Sequence, residues 1–326
     1  MGKPFKITLN ILLFILIAGF GYYIIHSMAS KEETMLSDAE HDDNRFVSPY
    51  KKGYTIDFVS EIVCFEIFQN TIYVALSGNV SVFDVSGKHL RDFEVAPDIR
   101  DIAVDETFIY LLYPTLIACY TLSGEPKERW EACSDHSDYC ALTTTQAYVL
   151  VTDVANKHIC QYDKEGRFIR FITSPQGFII PSYSFDIISI NDTLYCANSG
   201  RHHIESYTLN GDFIASFGVA GTEAGAFAGC CNPVYLAKSS DNNIITSEKG
   251  NPRISCYGKT GKFRTILFDS HALGGGTTAR EMHVWGERIF IANKKSLLVY
   301  AFDPALAKES CTQCEAACPL AKKAHP

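Results

Sequence analysis

The residues with the most direct chemical content lie near the end of the chain, in Cys311-Thr-Gln-Cys314-Glu-Ala-Ala-Cys318-Pro319. Their C-x2-C-x3-C-P spacing matches the last three ligands of the iron-sulfur run C-x2-C-x2-C-x3-C-P. The first cysteine of that run would fall at Lys308, so the tail alone cannot offer four thiolates. Three chemistries stay open. One is an iron-sulfur cluster whose fourth ligand comes from a partner chain or from His325. Another is zinc held by three thiolates and one further donor. The third is a disulfide in an oxidising compartment, with one thiol left over. Cys311, Cys314 and Cys318 are therefore the candidate metal ligands.

The chain has 12 cysteines in 326 residues, and the others divide by context. Cys64, Cys119, Cys140, Cys160, Cys196 and Cys256 fall in apolar, alternating runs, where a thiol is expected to be a small buried hydrophobe. Cys133 and the vicinal pair Cys230-Cys231 fall in the connections between such runs.

The elements that must position these groups follow from a repeat. Phe83/Gly87, Tyr120/Gly124, Tyr162/Gly166, Tyr207/Gly211, Tyr257/Gly261 and Tyr300/Pro304 place an aromatic four positions before Gly or Pro, at intervals of 37 to 50 residues. That is the period of an array whose unit is one small antiparallel sheet. In the first unit, Glu61–Ile67, Thr71–Ala75, Val80–Asp84 and Leu90–Val95 alternate apolar and polar residues and break at Gly, Asn, Asp and Ser, the pattern of short strands and hairpins. Six such units predict an all-β, six-bladed β-propeller, stable only as a complete ring because no blade buries both its faces alone. After Tyr300 no fourth strand follows, so Tyr54–Phe58 is expected to close the ring as the outer strand of blade six.

Asp153-Val-Ala-Asn156-Lys-His-Ile159, Asn198-Ser-Gly-Arg201-His-His-Ile204 and Glu248-Lys-Gly-Asn251-Pro-Arg253-Ile254 resemble the NHL repeat, as does the linker from Phe217-Gly218 through Gly225-Ala-Phe227 to Pro233. The resemblance covers about residues 54 to 304 and implies a six-bladed NHL-like propeller; a fold of this kind does not by itself name an activity.

In a propeller the inter-blade connections and the turns from second to third strand share one face, with the mouth of the central channel. Asp135, His136, Asp153, Asn156, Asn198, Arg201, His202, Glu248, Asn251, Arg253, Arg280 and Asn293 belong to that face. For most of them the expected task is to cap and bond the turns. A lactonase-type calcium site would need a Glu, an Asn and an Asp converging on the channel. The tail leaves after a third strand, from the other face, which makes Cys230-Cys231 a poor fourth ligand for it. Gly274-Gly-Gly276 lacks the Lys-Ser/Thr ending of a phosphate loop.

At the other end, Ile7 to Ile25 is an apolar run preceded by Lys3 and Lys6 and followed by Glu32, Glu33, Asp38, Glu40, Asp42 and Asp43. At helical rise its length is about 28 Å, near the hydrocarbon thickness of a bilayer. The positive flank places the N-terminus inside and the propeller on the periplasmic or extracytoplasmic side of the cytoplasmic membrane, as a single-pass protein. Ser27-Met-Ala29 also offers a signal-peptidase site, and both readings export the propeller. The expected organisation is an anchor or signal segment at 1–26, a tether at 27–53, the propeller at 54–304 and a Cys-rich tail at 305–326. A net charge of −8 without a Lys/Arg cluster argues against nucleic acid as a partner. The sequence thus points to a membrane-anchored binding or assembly module for a protein partner, linked to redox or metal chemistry through its tail. The alternative is a hydrolase or lyase of lactonase type with a cation at the channel mouth.

Overall fold

The computed structural model describes residues 19–22 and 46–312. Cys314, Cys318 and most of the expected anchor and tether lie outside the described residues, and of Cys311 only the backbone is described. Residues 19–22 are helical, and no helix among the described residues is long and apolar enough to cross a membrane. The chain divides into two units, Met1–Phe46 and Val47–Pro326, and the propeller belongs to the second.

Its 24 strands form six four-stranded antiparallel sheets. The ring opens with β1 (Tyr50–Asp57). Blade one is β2 (Ile62–Phe68), β3 (Thr71–Leu76), β4 (Asn79–Asp84) and β5 (His89–Glu94). Blade two is β6 (Asp101–Val104), β7 (Phe108–Tyr113), β8 (Leu116–Thr121) and β9 (Pro126–Glu131). Blade three is β10 (Tyr139–Thr144), β11 (Tyr148–Asp153), β12 (His158–Asp163) and β13 (Phe168–Ile172). Blade four is β14 (Ile187–Ile190), β15 (Thr193–Asn198), β16 (His203–Thr208) and β17 (Phe213–Phe217). Blade five is β18 (Tyr235–Lys238), β19 (Ile244–Ser247), β20 (Ile254–Tyr257) and β21 (Phe263–Phe268). Blade six is β22 (Met282–Trp285), β23 (Arg288–Asn293) and β24 (Ser296–Phe302), completed by β1.

The closure is the one expected. β1 lies antiparallel to β24, from Tyr50 opposite Phe302 to Asp57 opposite Ser296, with a bulge between Lys52 and Thr55. Blade six therefore presents no open edge where its own fourth strand is missing. Beyond it, Pro304–Thr312 forms helix α1, with the Asp303 carboxylate accepting from the Ala305 N–H at 2.9 Å. Asp at the cap and Pro at the first helical position explain why the chain turns to helix there.

Second strands such as Thr71–Leu76 and Phe108–Tyr113, and third strands such as Asn79–Asp84, are buried on both sides, whereas outer strands such as Pro126–Glu131 are largely exposed. The core is accordingly six separate clusters, one at each interface between neighbouring blades. Each fully buried Phe, Ile or Leu in them contributes about 1.5–3 kcal/mol. The periodic aromatics Phe83, Tyr120, Tyr162, Tyr207 and Tyr257 are all buried there. Their glycine partners do more than turn the chain. A Cβ on Gly166 would run into the Trp130 indole, and one on Gly261 into the Phe217 ring. In both cases the ring comes from the outer strand of the preceding blade.

Candidate functional site

The inner strands touch one another around the ring and enclose a channel. A cavity of about 230 Å³ lies on the face of the inter-blade connections and a larger one of about 990 Å³ at the other end. They share walls at Glu66, Thr143, Ile188, Leu236 and His283.

Acidic residues at the inner strands of alternate blades line the smaller cavity: Asp101, Asp186 and Glu281. Each clamps the next blade. The Leu142 N–H donates to Asp101 Oδ2 at 2.7 Å, the Leu236 N–H to Asp186 Oδ2 at 2.6 Å, and the Phe65 N–H to Glu281 Oε1 at 3.1 Å. Burial raises all three carboxyls, Asp186 to about 7, while the charges of Asp186 and Glu281 push Asp101 further. His283 lies between Glu66 (Nδ1 to Oε1, 3.3 Å) and Glu281 (Nε2 to Oε1, 3.8 Å). Burial opposes its protonation, but these carboxylates prevail and lift it to about 10. The channel is thus an acidic passage with one imidazolium in its wall. The carboxylates that converge there are engaged with backbone N–H groups, and among the described residues no asparagine lines the smaller cavity.

None of the twelve polar residues singled out for this face lines either cavity. Several brace the hairpins. Asp153 Oδ1 accepts from the N–H groups of Asp138, Ala155 and Asn156. Asn198 bonds Ile179, Gly177 and Glu205, and Arg201 reaches the carbonyls of Gln176 and Gly177. Glu248 and Arg253 form a buried two-pronged pair at 2.6 and 3.0 Å, and the guanidinium also holds the carbonyls of Thr222, Glu223 and Ala226. The channel acids sit instead at the starts of inner strands, whose polar residues carry no repeat signature.

At the mouth, Arg100, Asp138, Tyr183 and Cys140 form a polar cluster. The Tyr183 hydroxyl donates to Asp138, Arg100 lies over the Tyr183 ring at 5.5 Å, and the Cys140 thiol donates to the Tyr183 carbonyl at 3.0 Å. Next to Tyr183, Ser182 Oγ donates to Cys231 Sγ at 3.0 Å and accepts from Lys249 Nζ at 2.7 Å. Cys230 is exposed, Cys231 is buried, and their sulfurs are 2.8 Å apart. Asn232, followed by the cis Asn232–Pro233 bond, ties this loop to the Lys249 backbone. Burial resists ionisation of Cys231, but hydrogen bonds from Cys230, Ser182 and Lys249, with the Lys249 charge, hold its pKa below the ordinary thiol value.

A second thiol pair was not expected. Cys64, Cys119, Cys196 and Cys256 are buried as small hydrophobes, but Cys160, assigned to the same class, meets Cys133 at 2.7 Å between sulfurs. The Cys133 N–H donates to the Tyr139 hydroxyl at 3.1 Å, and that hydroxyl lies 2.6 Å from the Tyr162 hydroxyl. A hydrogen bond with Cys160 outweighs burial and, with His158, Tyr162 and Tyr139, pulls Cys133 down to about 4, while Cys160 is pushed up: the pair holds one proton readily and a second poorly. The sequence signal was His158-x-Cys160, two side chains on the same face of one strand.

These features define a six-bladed β-propeller with an acidic channel and thiols near its connection face. No family model matches the chain, and no curated protein matches it. Among solved structures it is similar to virginiamycin B lyase from Staphylococcus aureus, with a TM-score of 0.59 and 14% identity over 78% of this chain and 100% of that one. It is similar also to a streptogramin B lyase (TM-score 0.55, 13% identity, 78% and 97% covered) and to the Neurospora crassa Pan2 WD40 domain (TM-score 0.53, 9%, 78% and 95%). At these identities the likeness is one of fold.

Proposed function

We propose that the protein is a membrane-tethered propeller that works outside the cytoplasmic membrane as a binding and assembly module for a redox or metal-handling protein. The apolar run at 7–25 supports the tether, and Cys311, Cys314 and Cys318 support the metal or iron-sulfur link. The observation that carries the reading is the Cys230-Cys231 pair: one exposed sulfur, and behind it a buried thiol favoured as thiolate by Lys249 and Ser182. The thiolate is the reactive form of cysteine. Cys230 can attack a partner's disulfide, releasing one partner thiol and leaving a mixed disulfide; the Cys231 thiolate can then attack Cys230 Sγ, closing a Cys230–Cys231 disulfide and releasing the partner's second thiol, so the partner is reduced by two electrons.

A Cys231→Ser variant should therefore accumulate a covalent adduct through Cys230, seen on a non-reducing gel and absent from the Cys230→Ser/Cys231→Ser double variant. Failure of Cys230 to react with an aromatic disulfide reagent would sink the idea. A second reading, a lactonase- or lyase-type enzyme, draws on the carboxylates converging in the channel; calorimetric titration with calcium tests it, and no heat of binding would end it.

A further inference from the structure

We propose that Cys133, His158 and Cys160 form a binding site for a single zinc ion, outside the cavities of the channel. One ligand atom from each residue lies within 4.8 Å of the other two. That spacing suits one ion with bonds of about 2.1–2.3 Å to nitrogen and sulfur. The donors come from two places in blade three: His158 and Cys160 project from the same face of β12, and Cys133 reaches them from the connection before β10.

Three features separate a metal site from a disulfide or a filler thiol. His158 adds nothing to a disulfide, yet its Nε2 is buried with no nitrogen or oxygen within hydrogen-bond reach and the Cys133 thiol beside it, an arrangement that metal ligation would complete. Its ring is held against Phe171 at 4.1 Å between centroids, and the nearby acid, Asp153 Oδ2, stands 3.7 Å from that same Nε2, beyond hydrogen-bond reach. Finally, two thiolates neutralise a dication, so a half-buried site acquires no net charge. Ligation opens the sulfur pair from 2.7 Å to the edge of a tetrahedron with bonds near 2.3 Å, about 3.8 Å. Cys133 lies on the connection before β10 and not in a strand, so this opening breaks no strand pairing. Three protein ligands leave the fourth position to water or another small donor, beside the Tyr139–Tyr162 hydroxyl pair.

The test uses the full chain, purified anaerobically in detergent with Cys311, Cys314 and Cys318 replaced by Ser, and cobalt(II) as the probe. The expected result is one equivalent of cobalt with thiolate-to-metal charge-transfer absorption and intense tetrahedral d–d bands, displaced by zinc. His158→Ala should weaken cobalt binding by roughly 100-fold or more, beyond the 10–100-fold typical of outer partners. His158→Cys, which restores a third donor, should recover the bands, while Cys230→Ser/Cys231→Ser should leave them unchanged. Bands that persist unchanged in His158→Ala, or a Cys133–Cys160 disulfide found by peptide mass spectrometry in the anaerobic protein, would overturn the assignment. Neither result bears on the mixed-disulfide reading of Cys230-Cys231.

Discussion

Replacing Gly166 by Ala tests how the blades are joined. Gly166 has φ of +77°, and a Cβ there would penetrate the Trp130 indole, which is itself buried at the blade two/three interface. The left-handed conformation costs an alanine about 1–2 kcal/mol, and forcing an extra methyl into a packed interface costs about 1–3 kcal/mol more. The expected loss is about 2–5 kcal/mol. Gly78 supplies the control: its φ is +89° but nothing lies within 4 Å of a Cβ, so Gly78→Ala should lose only the conformational part. Urea unfolding followed by circular dichroism gives both values. A double-mutant cycle with Trp130→Ala then isolates the contact, because Gly166→Ala should be milder when the indole is gone. If Gly166→Ala and Gly78→Ala differ by less than about 0.5 kcal/mol, or if Trp130→Ala leaves the cost of Gly166→Ala unchanged, the interlocking of turn and neighbouring strand is wrong.

Other expectations follow from the channel, the hairpins and the closure. His283 is raised from its ordinary value of 6.5 to about 10, so its ion pairs stabilise the fold fully below pH 6.5 and are lost as pH rises through 10. His283→Gln should flatten the fall in melting temperature across that window, and parallel curves for the two proteins would refute the assignment. Arg253→Met strands the buried Glu248 carboxylate and should cost about 3–5 kcal/mol in urea unfolding; a loss under about 1 kcal/mol would mean the pair is dispensable. Ile56 is buried between blades six and one, so Ile56→Ala should cost about 2–5 kcal/mol and speed proteolysis near Tyr50. Unchanged protease resistance would show that β1 does not secure the ring.

The beat of aromatic and glycine is visible in the sequence because every blade meets its neighbour in the same way, and one local constraint recurs at a fixed place. The same regularity led Tyr54–Phe58 to its place on β24. The polar residues of the repeats were legible too, but as hairpin braces: Asn198, Arg201, Glu248 and Arg253 spend their hydrogen bonds on connections rather than on the channel. Asp101, Asp186 and Glu281 went unnoticed because each stands at the start of an ordinary apolar strand, and only the ring brings three blades' acids together.

The sequence by itself determined the number of blades, the strand order and the point where the array stops, since these depend on alternation and turn chemistry within a few residues. Only the tertiary structure brought together cysteines that are far apart in the chain. Cys133 and Cys160 are 27 residues apart, and Ser182, Cys231 and Lys249 come from three separate connections and turns. Chemistry between side chains depends on distances of a few ångströms, which local patterning does not encode and the closure of the ring sets.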